Sequence, residues 1–494
     1  MGYYPIKCIR CARELKNEEV LFDTKNTIIE MEGILKPVEV STVSQEKTKE
    51  SLFETQKNKK TSSSIGWDDD DDDDDNDVDD SEENGTAEAA VQFKDFMSCE
   101  EIERYAAQHD LQFERRYQKV NVTRDFAHVS HGDEDLLIGV KYQTSKGGQT
   151  VRALKRYCPH CNSEIPTLSG SMPTYNVTVM GTSASGKTVY LTSLNWILSR
   201  SQGNLPYQST LTCISANKAN EDFVGKTNEM FSKGVLPATT QIVLTEPLVV
   251  QMTYSLKNST KKCLLVLADM RGEDLTSTEG DNLNRRGEFF ARADAFMILV
   301  SPLNMPNVCD NIQSQGDEGE GAFIHQQLMG NLGQFVLPFF DDGRITAPTV
   351  IMMSKCDVLM NNAQRLGIPP SNAVVAVEPA VKFTGSYFST QHRGSQEIMH
   401  KFDRTLFDYF NVSCSKKYFT SFSSFGRNVN IDLDENGNKF IKNPNAIKPI
   451  RVIDPIIYIL ICLGFLPDFS KMEVGNQYNN SNIEILTRWI EERT

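Results

Sequence analysis

Short apolar runs separated by amphipathic stretches fill the chain from residue 174 onward. The runs are six to nine residues long, and apolar residues recur at helical spacing in several of the stretches between them. Strands buried on both faces give such nearly unbroken runs, and intervening helices are typical of a parallel sheet. We predict strands at 175–180, 247–255, 263–268, 295–300, 349–354 and 417–422. The pattern predicts an α/β fold with a mainly parallel sheet and helices on both faces.

The first third of the chain has a different pattern. Residues 41–90 are rich in Ser, Thr, Lys, Glu and Asp, and they bury too little apolar surface to offset the entropy of ordering, so we predict a disordered linker. A mixed segment follows at 91–133, with a helix predicted at 99–110. Residues 134–157 predict a hairpin that turns at Lys146-Gly147-Gly148.

The charge of the chain is concentrated in one tract. The formal net charge is −15, but residues 68–83 hold 11 Asp and 2 Glu without Lys or Arg, so the remainder carries −2. A like-charge block of this kind is typical of a solvated linker, and the alternative is a segment that attracts and binds a basic partner. Because no broad basic surface is left, we expect no nucleic-acid partner.

The apolar segments and the cysteines indicate where in the cell the protein is expected. No basic region followed by an apolar run occurs in the first residues, so we expect no signal peptide. The longest apolar run, 455–467, is too short to span a bilayer; we predict a helix packed on the sheet, with membrane contact as a minor alternative. Eleven cysteines without a secretory signal favour free thiols, so we expect a cytoplasmic protein without a transmembrane segment.

A glycine-rich motif, "GTSASGKT", follows the first predicted strand and opens a helix. It matches G-x-x-x-x-G-K-[ST], in which backbone N–H groups surround a triphosphate at a helix N-terminus. Lys187 is then expected to reach the β- and γ-phosphates, and the Thr188 hydroxyl to ligate Mg²⁺. The alternative is a Gly/Ser turn without a ligand. The predicted nucleotide contacts of this loop are Gly181, Ser183, Ser185, Gly186, Lys187, Thr188 and Val189.

Two later motifs end predicted strands. Asp269 follows "CLLVLA", where a carboxylate can hold Mg²⁺, and Gly272 can offer its N–H to the γ-phosphate. In "MSKCDVL", Lys355 and Asp357 match a pattern that reads guanine, because a carboxylate accepts two N–H donors from that base and adenine offers no match. We place Ser423, in "FTSFSSFG", in the loop that closes over the base.

With these motifs in this order, residues 174–465 resemble TRAFAC-class P-loop GTPases. Together with "LPATT" and "DMRGE", the chain looks most similar to the bacterial double-GTPase group, which genomic context ties to conflict and defence systems. The resemblance implies a Ras-like domain that binds GTP or GDP with Mg²⁺ and switches a protein effector or responds to an activating partner. Ser354 stands where the family has Asn or Thr, which implies looser selectivity for the base.

The resemblance also implies the catalytic groups. Thr240, which we prefer over Thr239, would complete the magnesium shell from a mobile loop, and Gly272 would contact the γ-phosphate. Glu273 stands where several GTPases carry a water-orienting Gln, which implies slow hydrolysis. Candidates to stabilise transition-state charge are Arg271, Arg285, Arg286 and Arg292. The rival interpretations are a non-catalytic interaction protein with a structural or degenerate nucleotide site, and an ATPase.

Two C-x-x-C pairs, Cys8/Cys11 and Cys158/Cys161, predict a four-thiolate zinc site. The pairs are 146 residues apart, and closing such a loop costs about 4–5 kcal/mol. A structural zinc contributes roughly 10–16 kcal/mol, which exceeds the cost of closing the loop, so the long separation does not exclude a shared site. Two separate knuckles and reduced surface cysteines are the alternatives. We further hypothesise that the joint at 157–173 transmits nucleotide-dependent movement to the zinc module.

These patterns divide the chain into a split module and a larger domain. We predict a zinc ribbon at 1–40 and 134–170, a P-loop GTPase domain at 171–468 and a C-terminal helix or tail at 469–494, in addition to the linker and mixed segment. The stretch "DLDENG" at 432–437 imitates a calcium loop, but its twelfth position lacks the required Glu. A hairpin turning at Asn436-Gly437 explains it better.

Overall fold

A computed structural model describes most of the chain outside the linker and the tail. The described residues are 4–16, 19–23, 28–31, 34–37, 96–98, 112–118, 136–143, 150–153, 155–161, 163–181, 185–200, 203–206, 209–215, 220–237, 247–269, 289–312, 320–376, 382–433 and 439–469. The acidic tract at 68–83, the helix predicted at 99–110 and the tail after residue 469 lie outside them.

The N-terminal part is built from antiparallel strands. They are β1 (Ile6–Lys7), β2 (Glu14–Leu15), β3 (Leu21–Asp23), β4 (Ile28–Met31), β5 (Ile34–Pro37), β6 (Phe96–Ser98), β7 (Gln112–Gln118), β8 (Leu136–Gln143), β9 (Thr150–Ala153), β10 (Arg156–Tyr157) and β11 (Glu164–Ile165). β1 and β2 form a hairpin, and the other strands form sheets in the orders β11-β10-β3-β6 and β5-β4-β9-β8-β7. Antiparallel pairing of Gln143 with Thr150 confirms the hairpin predicted at 134–157, although its turn is not described.

An eight-stranded sheet forms the larger domain, in the order β13-β14-β15-β16-β12-β17-β18-β19. Its strands are β12 (Thr174–Gly181), β13 (Gly203–Asn204), β14 (Thr210–Ser215), β15 (Leu248–Leu256), β16 (Ser259–Asp269), β17 (Ala295–Val300), β18 (Thr349–Met353) and β19 (Lys417–Ser421). The five strands from β16 to β19 in this order run parallel, which confirms the predicted architecture. β15, β14 and β13 extend the sheet antiparallel, a feature that the apolar runs do not indicate.

Helices cover this sheet, and a small hairpin follows its last strand. The helices are α1 (Lys187–Arg200), α2 (Asn220–Asn228), α3 (Pro306–Ile312), α4 (Glu320–Phe335), α5 (Cys356–Asn361), α6 (Gly385–Phe402), α7 (Arg404–Ser413) and α8 (Asp454–Cys462). β20 (Ile431–Leu433) and β21 (Lys439–Ile441) pair antiparallel, which confirms the hairpin predicted there.

Alternating residues of the parallel strands feed two buried clusters, because successive side chains of a strand point to opposite faces. Val177 and Val179 of β12 pack in one cluster with the leucines of α1 and the apolar residues of α8. Met180 belongs to the other cluster, which the apolar residues of α4, α6 and α7 complete. The predicted helix in 455–467 is therefore confirmed as a core element. Within the described ranges, no helix combines the length and apolarity needed to cross a membrane.

We expect Leu460→Ala to lower the free energy of unfolding by about 2–5 kcal/mol, because this α8 side chain is fully buried and its removal leaves a cavity. Leu433→Ala is the matched control, because that leucine is 64% exposed; its effect should stay within about 0.5 kcal/mol. Urea unfolding measures both. Equal losses would contradict the assignment of α8 to the core.

Candidate functional site

The carboxyl ends of the parallel strands meet at one edge of the sheet. Val179 of β12 lies level with Asp269, and Gly181 lies level with Leu299 of β17. Met353 of β18 lies level with Ser421 of β19. Ligands of open α/β sheets bind at this edge, so the three motifs that follow these strands converge where a nucleotide would lie.

The phosphate loop leaves the sheet at a very close contact with β17. A Cβ atom on Gly181 would lie 2.5 Å from the carbonyl oxygen of Leu299, so no larger residue fits there without a shift of backbone. Residues 182–184, including Ser183, are not described. Ser185 is buried, and Gly186 precedes α1 with a φ of 87°.

The first turn of α1 carries the remaining residues predicted for the loop. The Lys187 ammonium donates to the Gly181 carbonyl at 3.0 Å and so folds back over the start of the loop. Thr188 and Val189 follow it, half-buried. The Thr188 hydroxyl and the half-buried carboxylate of Asp269, at the end of β16, are oxygen donors of the class that Mg²⁺ prefers.

The predicted base-reading residues lie together at the ends of β18 and β19. Lys355 adopts a left-handed conformation, with φ at 50°, before α5 begins. Asp357 is in the first turn of α5 and is hydrogen-bonded to Ser423 from the loop after β19. The hydroxyl of Ser423 also accepts from the backbone N–H of Gly426 at 2.9 Å. The carboxylate and the loop therefore hold each other in place.

Burial is the largest influence on the pKa values of Asp357 and Lys355, the two charged groups of the base motif. It raises the pKa of the Asp357 carboxyl, and the hydrogen bond from Ser423 and the charge of Lys355 oppose this shift. Burial also lowers the pKa of Lys355, and the nearby charge of Lys439 adds to the effect. Ser354 points inward, because its hydroxyl donates to the Val300 carbonyl at 3.3 Å.

Helix α1, which begins in the phosphate loop, directly contacts the loop after β19. We call this loop, residues 422–426, the base loop. The hydroxyl of Ser193 on α1 donates to the Ser424 carbonyl at 3.4 Å. The rings of Tyr190 and Phe422 pack with centroids 4.8 Å apart. On the other side of the loop, the Cys356 N–H donates to the Phe422 carbonyl at 3.0 Å. One continuous set of contacts thus joins the two ends of the candidate nucleotide site.

The predicted catalytic loops lie largely outside the described residues. Thr239 and Thr240 fall in 238–246, and Gly272, Glu273 and three of the four candidate arginines fall in 270–288. Of those arginines, Arg292 is described, and it is half-buried. The described chain flanks the second segment with Asp269 at one end and Phe289 at the other.

The four predicted zinc ligands come together from two similar hairpins. The β10–β11 hairpin repeats the β1–β2 hairpin 150 positions later in the sequence. In each hairpin the N–H of the first cysteine donates to the carbonyl five residues on, from Cys8 to Arg13 at 2.9 Å and from Cys158 to Ser163 at 3.0 Å. Both turns therefore present their C-x-x-C pair in the same way.

The sulfur geometry fits a tetrahedral metal. All four Sγ atoms lie within 4.8 Å of one another. The Sγ atoms of Cys8 and Cys161 are 3.5 Å apart, and those of Cys11 and Cys158 are 3.7 Å apart. Zinc–sulfur bonds of about 2.3 Å in tetrahedral geometry place sulfurs about 3.8 Å apart. A disulfide requires about 2.0 Å, so the spacing suits zinc and excludes a bond between these sulfurs.

Hydrogen bonds among the thiols couple their ionisation. Bonds from Cys11 and Cys158 lower the pKa of Cys161, whereas bonds within the same cluster raise the pKa of Cys8 and Cys11. The hydroxyl of Ser163 lies 2.8 Å from the Cys161 sulfur. The four groups therefore titrate together, and a thiolate, the form that binds metal, is favoured within the cluster.

The first cysteine hairpin is fastened to the large sheet. The Lys7 ammonium bonds to the Asp294 carboxylate at 2.9 Å, and that carboxylate also accepts from the Asn176 N–H of β12 at 2.7 Å. Ile9, between the first two cysteines, is 2% exposed and belongs to a buried cluster with residues of β15 and β16. The thiol cluster and the nucleotide-binding fold thus share a core.

Comparison with known proteins bears on the same segment. Residues 176–369 match the family model described as Double-GTPase 2. This segment is therefore similar to the proteins of a double-GTPase family. The match confirms the resemblance seen in the motifs and indicates a GTP-binding function for the domain. No curated protein matches the chain.

Two residues near the candidate nucleotide site belong to no sequence motif. Ser301 follows β17 and is buried, and its hydroxyl has no hydrogen-bond partner within the part of the chain that the structure describes. The only signal in the sequence is that it is the first polar residue after "AFMILV". Arg451 is buried behind the base loop, and nothing in its local sequence indicates this position.

We expect Ser423→Ala to weaken GDP binding about tenfold at neutral pH, since it removes a hydrogen bond to a charged group, and more strongly at mildly acidic pH. Without that bond the pKa of Asp357 rises further, so the carboxylate that accepts from guanine is lost earlier as pH falls. The measurement is a GDP titration of variant and wild type at several pH values, compared as the ratio of their dissociation constants. Protonation of the GDP phosphates affects both proteins equally, so it does not change this ratio.

Ser424→Ala is the control for this experiment, because Ser424 takes part in the loop through its carbonyl oxygen. Its ratio to wild type should stay near one at every pH. A Ser423→Ala ratio that does not change with pH would show that the hydroxyl does not act through the carboxylate.

Proposed function

We propose that the chain is a GTPase that binds GTP with Mg²⁺, hydrolyses it slowly and controls a protein partner through its nucleotide state. The observation that carries the proposal is that five predicted site residues meet where the parallel strands of the sheet end: Gly181, Lys187, Asp269, Asp357 and Ser423. The family match over 176–369 supports the choice of a guanine nucleotide.

Each group has a distinct role in this proposal. The backbone N–H groups of the loop and the Lys187 ammonium bind the phosphates, and the Thr188 hydroxyl and Asp269 carboxylate hold Mg²⁺, which neutralises phosphate charge. Asp357 accepts two hydrogen bonds from guanine, and Ser423 keeps that carboxylate ionised and oriented. Because adenine lacks these donors, binding ATP would leave a buried carboxylate without partners.

Hydrolysis in this proposal depends on the two segments outside the described residues. Thr240 and Gly272 respond to the γ-phosphate, and Glu273 orients water at the cost of charge repulsion, which keeps the rate low. The half-buried Arg292 is the described candidate to stabilise transition-state charge, directly or through a partner. A place in a bacterial conflict or defence system rests on the family resemblance alone.

We further propose that Cys8, Cys11, Cys158 and Cys161 share one structural zinc. The spacing of their sulfurs supports this assignment. The proposed zinc module comprises 1–40 and 134–170 and precedes the GTPase domain at 171–468. β7, from the segment 91–133, pairs with β8 of this module, so the insertion contributes strands to it.

A nucleotide titration tests the proposed activity. We expect fluorescent GDP and GTP to bind wild type more tightly than ADP, and Lys187→Ala to lose all three because the phosphates lose their cation. Asp357→Asn should lose guanine and gain xanthine nucleotides, because an amide N–H can donate to the carbonyl that xanthine has in place of the guanine amine.

Lys416→Ala serves as the control, because this exposed lysine lies at the opposite end of β19. Equal affinity for guanine and adenine nucleotides would refute the guanine assignment and favour an ATPase. Absence of any binding would refute the enzyme. Sustained phosphate release from GTP would exclude a purely structural nucleotide.

Metal analysis tests the shared zinc site. We expect about one zinc per chain in wild type and none in the Cys8→Ser/Cys11→Ser variant, because two thiolates cannot complete a tetrahedral structural site. Cys462→Ser is the control and should keep its zinc, since that exposed cysteine lies outside the cluster. Unchanged stoichiometric zinc in the double variant would contradict a shared site.

A further inference from the structure

The loop that carries Ser423 is paired with a segment from much later in the chain. We call residues 448–451 the strap. The N–H of Ser423 donates to the Ile450 carbonyl at 3.0 Å, and the Ile450 N–H donates back to the Ser423 carbonyl at 2.8 Å. The Lys448 N–H donates to the Phe425 carbonyl at 2.8 Å. The strap thus holds the backbone of the loop at Ser423 and at Phe425, on either side of Ser424.

The contact between loop and strap is too close for a side chain. Gly426 has a φ of 86°, and a Cβ atom there would lie 2.3 Å from the carbonyl oxygen of Lys448. The position of the strap therefore determines the position of the loop, since neither backbone can move without the other.

Arg451 anchors the strap from below. It is 3% exposed, and its guanidinium donates to the Gln391 side chain at 2.8 Å, to the Ser421 hydroxyl at 3.1 Å and to the Val374 carbonyl at 2.8 Å. These acceptors belong to α6, to the end of β19 and to the segment after α5. One planar guanidinium therefore joins the strap to three separate parts of the domain.

The backbone of Arg451 is strained where these bonds form. Its φ is 56°, in the left-handed region that L side chains other than Asn and Asp rarely adopt. Such a conformation persists only where the surroundings enforce it, and strained residues are concentrated near functional sites. Here the three hydrogen bonds of the guanidinium hold the residue in place.

We propose that Arg451 is a positioning residue for recognition of the base. It acts through the strap on the backbone of Ser423, and through the Ser423 hydroxyl on the carboxylate of Asp357. The proposal rests on the guanine-nucleotide binding proposed above and adds a specificity determinant that touches neither base nor phosphate. Loss of Arg451 should therefore impair discrimination between bases and leave phosphate binding intact.

The test compares Arg451→Gln with Arg156→Gln. Arg156 is the matched control: it is 1% exposed and donates to the carbonyls of Pro166, Thr167 and Ser169, away from the nucleotide edge. Both variants lose a buried guanidinium. We expect Arg451→Gln to raise the dissociation constant of GDP about tenfold, the effect of losing an oriented hydrogen bond to a charged group, and to leave that of ADP unchanged.

Hydrolysis at saturating GTP provides a second readout, because a merely structural defect would lower the rate as well as the affinity. The kcat of Arg451→Gln should stay within about twofold of wild type while KM rises with the dissociation constant. Ser421→Ala, which removes one acceptor and keeps the arginine, should raise the GDP constant by a smaller factor. It is the deciding variant if Arg451→Gln does not fold.

Three results would overturn the inference: equal losses in the two arginine variants, a parallel loss of GDP and ADP affinity in Arg451→Gln, or unchanged GDP affinity in Ser421→Ala where Arg451→Gln does not fold. A wild-type protein without preference for GDP over ADP would instead refute the proposed function itself. The two failures are distinguishable because only the second appears in wild type.

Discussion

The contact between Gly181 and the carbonyl oxygen of Leu299 sets the geometry of the nucleotide-binding edge. It lets β12 run against β17 up to the point where the phosphate loop departs. Because the strands are parallel and in register, that departure point is level with the ends of the neighbouring strands. The aligned strand ends therefore bring Asp269 and the base motif to the same edge of the sheet. The sheet fixes the positions of the loops, and the loops carry the functional side chains.

The phosphate and base ends of this edge are coupled through packing. Tyr190 and Ser193 of α1 contact the base loop, so the helix that begins at Lys187 also supports the residues near guanine. The thiol cluster is drawn into the same body by the Lys7–Asp294 ion pair and by Ile9. Ala12 belongs to the buried cluster that contains Ala268 and Phe290, residues near the two ends of 270–288. The cysteine hairpin therefore shares a buried cluster with the described residues that flank that segment.

Much of this arrangement could be predicted from the sequence, for physical reasons. Strands buried on both faces must be apolar throughout, so the runs that became β12, β17 and β18 were recognisable. Phosphate, metal and base contacts require particular residue types at fixed spacing, so the motifs and both cysteine pairs were recognisable too. β13 and β14 were missed because β13 has only two residues and β14, "TLTCIS", largely alternates polar and apolar residues instead of forming an apolar run. Arg451 was missed for a different reason: its partners are far away in sequence, and a lone arginine is usually solvated.

The repetition of the cysteine hairpin after 150 positions has a consequence for synthesis of the chain. A ribosome adds about 5–20 residues per second, so Cys8 and Cys11 wait on the order of ten seconds or more for their partners. During that time β3, which pairs with β10 in the folded chain, has no neighbour on that side. The second hairpin emerges just before β12, so the N-terminal module closes first and offers Lys7 and Ile9 as a ready surface on which the growing sheet can assemble.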